Sequence, residues 1–217
     1  MENNNIDNNQ VTILGDIASG FTFSHEIFGE GFYSMDVTIP RLSGVYDIIP
    51  VTVSERLINV KEDLLGRKVL IKGQFRSYNK HEESKNRLKL SVFAREIMLD
   101  FTDDETGGND DINEIYISGH ICKEPVCRTT PLGRKIADLL LAVNRPYGKS
   151  DYIPCVCWSR NAKYVGSLPV GTKCDIKGRI QSRQYVKHGE NGEPEHRTAY
   201  ELSLIHISEP TRLALIS

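Results

Sequence analysis

Runs rich in β-branched and aromatic residues alternate with polar, turn-forming stretches along most of this chain. Val11–Ile17, Phe32–Pro40, Tyr46–Val53, Val69–Tyr78 and Arg87–Phe93 have this character and predict five strands. Between the third and fourth, Ser54–Leu65 spaces Leu57, Val60, Leu64 and Leu65 at near-helical intervals, with Gly66 as a stop, which predicts a short helix. The same order then returns. Strands are predicted over Ile115–Ile121, Ile136–Val143 and Tyr152–Trp158, a helix over Asn161–Leu168, and strands over Lys173–Tyr185 and Thr198–Leu204.

The recurrence is one of identities as well as of pattern. Under a shift of 104 positions Gly15 falls on Gly119, Arg41 on Arg145, Gly44 on Gly148, Asp47 on Asp151, and Ile49-Pro50 on Ile153-Pro154. With one more residue of offset, Ile71-Lys72-Gly73 falls on Ile176-Lys177-Gly178 and Ser77 on Ser182. Identities in one register over such a length indicate a duplicated unit rather than shared composition. Five strands with a helix after the third is the order of an OB-fold, a small Greek-key barrel whose strand 2–3 face binds oligonucleotides or oligosaccharides. The expected fold is therefore all-β with one short helix per domain, as two tandem OB-fold barrels. Thr102–Asp111 is acidic, Gly-containing and nearly free of apolar residues, as solvated linkers are. The expected boundaries are a first domain over 1–101, a linker over 102–112 and a second domain over 113–203.

Charge separates the two copies. Met1–Asp111 carries 12 Lys and Arg against 19 Asp and Glu, a net −7, whereas Ile112–Tyr200 carries 14 against 8, a net +6. A polyanion would be handled mainly by the basic second copy. Met1–Asn9 is Asn-rich without an apolar core, and no apolar run approaches the roughly 18 residues of a membrane span, so a cytoplasmic, nucleoid-associated protein with no membrane partner is expected. Five cysteines, an odd number, fit a reducing compartment and free thiols.

In the second copy, Tyr152-Ile153-Pro154-Cys155-Val156-Cys157-Trp158, Ala162, Gly171-Thr172 and Ile176-Lys177-Gly178-Arg179-Ile180-Gln181-Ser182-Arg183-Gln184-Tyr185 follow in order. Together with Leu141–Arg145 and Thr198–Glu201, this series resembles the bacterial single-stranded DNA-binding protein family, in its tandem OB-fold form. The resemblance implies that aromatic residues on the third and fourth strands stack on bases, roles that fall here on Tyr152, Trp158 and Tyr185. Stacking suits the task physically, because every base has a π-face and each stacked base contributes about 1–3 kcal/mol without reading sequence. Tyr152 and Trp158 are six residues apart, an even spacing that places both on one face of a strand. The alternative is that both are core aromatics of a small barrel. Arg145, Lys149, Arg160, Lys177, Arg179 and Arg183 are interleaved with these aromatics, as a groove tracking a phosphate backbone requires. Tyr147, in the turn before the third strand, is a further candidate platform or a plain turn residue.

The first copy departs from the pattern. Ile48, Ser54 and Lys80 stand at the positions of Tyr152, Trp158 and Tyr185, so its binding face is degenerate, with Arg76, Tyr78 and Lys80 left as a secondary contact. The expected function is sequence-tolerant binding of single-stranded DNA in replication, recombination or repair, by a protein that is not an enzyme, needs no cofactor and forms a homodimer. Replication or repair proteins are candidate partners. Two other readings stay open: an assembly protein of a primosome-like complex that binds mainly a protein, and an RNA-binding OB module.

Metal chemistry and catalysis find little support. Cys122, Cys127, Cys155, Cys157 and Cys174 lie in the second half with His120, but Cys-x4-Cys and Cys-x-Cys are not the spacings of zinc ribbons. No Ser-His-Asp order, glycine-rich phosphate loop or paired carboxylates appear in a credible context. His188 and His196 flank Gly189–Pro194, which reads as a mobile connection between the last two strands. Leu204–Arg212 looks like a translated sequencing adapter and continues no pattern of the domain, so 204–217 is expected to be a non-native tail.

Overall fold

The structure is a computed structural model that describes residues 8–82, 85–188 and 194–208, with the side chains at 80–87 and 187–197 outside the description. The first half forms β1 (Asn9–Ile17), β2 (Thr22–Ile27), β3 (Glu30–Pro40), β4 (Tyr46–Ser54), β5 (Lys68–Glu82) and β6 (Lys85–Met98), followed by a one-turn helix α1 (Asp103–Thr106). The second half forms β7 (Ile112–Ile121), β8 (Val126–Thr129), β9 (Lys135–Asn144), β10 (Ser150–Trp158), α2 (Ser159–Val165), β11 (Lys173–His188) and β12 (Pro194–Ser208). Neighbours in the first sheet run β2-β3-β4-β6-β5-β1, and β3 also pairs with β1. In the second they run β7-β11-β12-β10-β9-β8, and β9 also pairs with β7. Each sheet thus closes on itself in the strand order that the sequence predicts, and the fold is two tandem OB-fold barrels.

The repeated glycines mark where strands press together. A Cβ on Gly15 would stand 2.3 Å from the Thr38 carbonyl oxygen, and one on Gly119 would stand 2.7 Å from that of Ala142. These are the points where β1 passes β3 and β7 passes β9 to close the barrels. Gly73 and Gly178 do the same further on, with the Phe93 and Ser203 carbonyls 2.2 and 2.4 Å from the missing Cβ. Inside the first barrel lie Ile13, Val37, Ile39, Ile49, Val51, Ile71, Phe75 and Val92, and inside the second Ile117, Leu141, Val143, Ile153, Cys157, Ile176 and Leu202, all buried.

Four features differ from the sequence reading. Residues 54–65 form turns rather than a helix. Here Ser54 Oγ accepts from the Arg56 N–H, Asn59 Oδ1 from Lys61 and Asp63 Oδ1 from Leu65, so side chains offer the backbone a local alternative to the helical ladder. Leu57 and Leu65 remain exposed and only Ile58 and Leu64 are buried, so the apolar spacing never becomes one buried face. The acidic segment after β6 is partly structured: Glu105 turns back to accept from the Thr102 N–H at 2.7 Å, Gly107 closes α1 at φ 61°, and Lys68 Nζ donates to the Asp110 carbonyl. Strands β2 and β8 are additional, and their residues are all exposed, so no buried alternation announces them. Finally, β12 runs through to Ser208 with Leu204 and Ile207 buried, so the expected boundary at 203 falls inside a strand. The connection over 189–193 and the tail beyond Ser208 lie outside the described residues.

By its internal contacts the chain divides into two compact units. One gathers Tyr116–Gly178 with the chain ends up to Asn9 and from Leu202; the other gathers Gln10–Ile115 with Arg179–Glu201. The division therefore does not follow the sequential boundaries read from the sequence. Within the second unit, Ser182 joins the β3–β4 turn through three bonds: its N–H donates to Asp47 Oδ1 at 2.8 Å, its Oγ accepts from the Ile48 N–H at 2.9 Å, and its carbonyl accepts from Arg41 at 3.1 Å. Buried Asn113 adds a two-way bond with the backbone of Ile180.

Candidate nucleic-acid interface

Strand β10 sorts its residues by parity. Asp151, Ile153, Cys155 and Cys157 are buried, whereas Tyr152 is 46% and Trp158 41% exposed, on the opposite face. Cross-strand register fixes what shares that face. Tyr152 lies in a row with Ala142 and His120, and Trp158 in a row with Ile136 and Arg128. Val156, between the two aromatics, is buried, so the face has an apolar floor with a ring at each end.

The turn before β10 holds Arg145 and Tyr147. Tyr147 is 99% exposed and its backbone is left-handed at φ 63°, an arrangement that favours glycine and that a local ring must tolerate. Arg145 Nε lies 3.4 Å from the carboxylate of Asp151, which is fully buried. The first copy repeats the pair at the shifted positions, where Arg41 grips fully buried Asp47 with Nε at 2.8 Å from Oδ2. The hydrogen bond to Asp47 pushes the Arg41 guanidinium up from its ordinary value. A buried carboxylate needs such a partner, and the pair recurs where the stacking aromatics do not, so a scaffold role accounts for Arg145 as well as a phosphate contact does.

Lys177, Arg179, Arg183 and Tyr185 occupy alternate positions of β11, opposite buried Cys174, Ile176, Gly178 and Ile180. Lys177, Arg183 and Tyr185 are exposed and Arg179 is half-buried. Arg183 Nε stands 3.7 Å from Glu201 Oε1, a surface pair open to exchange for a phosphate. Arg160 is exposed in the first turn of α2, just after Trp158, and Lys149 is exposed in the turn before β10. In the first copy Tyr78 is 52% exposed on β5, and Arg76 is held over the Phe93 ring, while the Lys80 side chain lies outside the described residues.

Sequence reasoning left out His120 and Arg128, because their place depends on which residues of β7 and β8 face β9. Arg128 is paired with Asp138 at 2.8 and 3.1 Å. It also lines a cleft between β8, β9 and α2 with Cys127, Lys135, Ile136, Lys163 and Ser167, which adds two lysines to the basic set. All five cysteines are free, with Cys122 and Cys127 exposed and the other three buried. Burial pushes the Cys157 thiol up to about 12, so it stays protonated in the core. Among the described residues no group of His, Cys, Asp and Glu is arranged to hold a metal, and no helix is long and apolar enough to cross a membrane.

Comparison with known proteins bears on this face directly. Residues 112–208 match the single-strand binding protein family. The matching segment begins with β7 and ends with β12, and holds Tyr152, Trp158, Tyr185 and the cations around them. A single-stranded DNA-binding protein from Halalkalibacterium halodurans is 36% identical over 81 residues, covering 34% of this chain and 48% of the relative. Single-stranded DNA-binding protein A of Bacillus subtilis is 31% identical over 106 residues, 46% of this chain and 60% of the relative. The chain thus spans about half the length of these curated relatives. The crystal structure of the wild-type single-stranded DNA binding protein from Thermus aquaticus is similar over both barrels, with a TM-score of 0.70 at 20% identity, covering 94% of this chain and 93% of that one. At that identity the likeness establishes the tandem OB-fold of the single-strand binding form, and the family match localises the shared sequence to the second copy.

Proposed function

We propose that this protein binds single-stranded DNA without reading its sequence. Bases stack on Tyr152, Trp158 and Tyr185, and phosphates are met by Arg160, Lys177, Arg179 and Arg183, with Arg145, Tyr147 and Lys149 at the border. The observation that carries the reading is the exposure of Tyr152 and Trp158 on one face of a barrel strand whose other face is core. Large rings left open to water beside a row of cations are what a sequence-tolerant groove requires. The named DNA-binding relatives support the same ligand. In this reading the protein is not an enzyme, acts in the cytoplasm during replication, recombination or repair, and works as a homodimer that replication or repair proteins can meet. Its two barrels correspond to the segments 1–101 and 113–203.

The single tryptophan supplies the test. Titration with an oligothymidylate is expected to quench Trp158 fluorescence, and a duplex of equal length is expected not to. Affinity should fall with salt by about 0.7 log units per phosphate neutralised for each log unit of salt. Tyr152→Ala should weaken binding of a labelled oligothymidylate by about five- to a hundredfold, the equivalent of ~1–3 kcal/mol of stacking. Failure of wild-type protein to bind either strand form would overturn the reading.

A further inference from the structure

Compared position by position, the first copy has lost its stacking residues, since Ser54 stands where the second has Trp158. Compared row by row across the sheet, it has not. Trp158 lies in the row Arg128–Ile136–Trp158. The corresponding row of the first copy is His25–Phe32–Ser54. A ring occupies the same row in both, supplied by the third strand of the barrel in one copy and by β3 and the added strand β2 in the other. One step along, Thr52 pairs with Phe93 in the first copy where Val156 pairs with Ser203 in the second. The first barrel thus gains a further ring at a place where the second has a hydroxyl.

These groups touch in sequence. The His25 and Phe32 rings are stacked with centroids 5.0 Å apart and planes at 8°; Phe32 meets Phe93 at 5.8 Å; and the Arg76 guanidinium lies 4.0 Å from the centre of the Phe93 ring. Arg76 is fixed there by two bonds to Gln74 Oε1, at 2.9 and 3.3 Å. Tyr78 follows two residues later on the same face of β5 and is half exposed. All of them stand on the outer side of the barrel, because their alternate neighbours Met35, Phe75, Ser77, Val92 and Ala94 are buried. Phe32 is the buried floor, while His25 is exposed and Phe93 half-buried. The nearest carboxylates have partners of their own: Glu30 takes Ser54 and Arg56, and Glu55 accepts from the Gly31 N–H at 2.9 Å.

We propose that this face is a second stacking site for the bases of a single strand, formed by His25, Phe93, Arg76 and Tyr78 over Phe32. It rests on the reading of the protein as a single-strand binder, and it adds a subsite on the acidic copy. A protein-docking role would fit the acidic charge of this half, but aligned rings topped by a fixed guanidinium present flat π-surfaces and one cation, which is the chemistry of a base and its phosphate.

The test uses the full chain. An oligothymidylate carrying 5-iododeoxyuridine is crosslinked to the wild-type protein by light, and the modified residues are located by mass spectrometry. Crosslinks at His25, Tyr78 or Phe93, in addition to those in 112–208, are expected; crosslinks confined to 112–208 would overturn the site. In parallel, the variant His25→Ala/Tyr78→Ala, at exposed positions and checked by its thermal melt, should bind a long oligothymidylate about tenfold or more weakly than wild type. Unchanged affinity of that variant, with tight binding by the wild type, would sink this inference alone. No binding by the wild type would sink the single-strand reading and this site with it.

Discussion

Asp36 stands on the outer side of β3, opposite Pro50, and is half-buried; burial alone raises its carboxyl above the usual aspartate range. A group whose folded value lies above its unfolded one gives stability that is present at low pH and is lost as pH rises through the folded value. At neutral pH the ionised Asp36 therefore weakens the fold. Asp36→Asn is expected to raise the melting temperature at pH 7 and to have no such benefit below about pH 4, where the native side chain is protonated in both states. Melts at the two pH values check this, and an equal effect at both would refute it. Residues on a single strand were the legible part of the site. Tyr152 and Trp158 could be placed on one face by counting, and they stand there. His25, Phe93, His120 and Arg128 could not, because their membership of a face depends on pairings between strands that no single run of sequence specifies.

At the scale of elements, the strands were readable where one face is apolar and the other polar, and unreadable where both are wet. That is why ten strands were foreseen and β2 and β8 were not. The predicted helix over 54–65 fails for a related reason. Periodicity counts apolar residues, whereas Ser54, Asn59 and Asp63 decide the local backbone through their own hydrogen bonds. The glycines shared by the copies carry a sharper expectation. A methyl at Gly178 would meet the backbone oxygen of Ser203 at 2.4 Å, and the strands would have to part. Gly178→Ala should cost about 1–3 kcal/mol by denaturant unfolding. Gly20→Ala, where a Cβ meets nothing within 4 Å, should be close to neutral. Equal effects at the two positions would show that close approach is not what keeps Gly178.

On the whole molecule, the duplication was legible and the compact units were not. The repeat predicts two successive bodies, but residues 179–201 belong by their contacts with Gln10–Ile115. The reason lies in the length of β11 and β12, 16 and 15 residues, and in Ser182 and Asn113, whose partners are far along the sequence. Produced alone, residues 112–208 should therefore exchange their amide hydrogens faster over 179–201 than the intact chain does. Identical exchange in both would mean that this segment is held by its own half. The matched Arg–Asp pairs have a wider consequence. A chain that carries the same barrel twice is its own control: Arg41 with Asp47 and Arg145 with Asp151 agree because both barrels must be built, while Ser54 and Trp158 differ because only what a barrel does for a ligand is free to diverge. Comparing the chain with itself separates the residues that make the vessel from those that meet its contents.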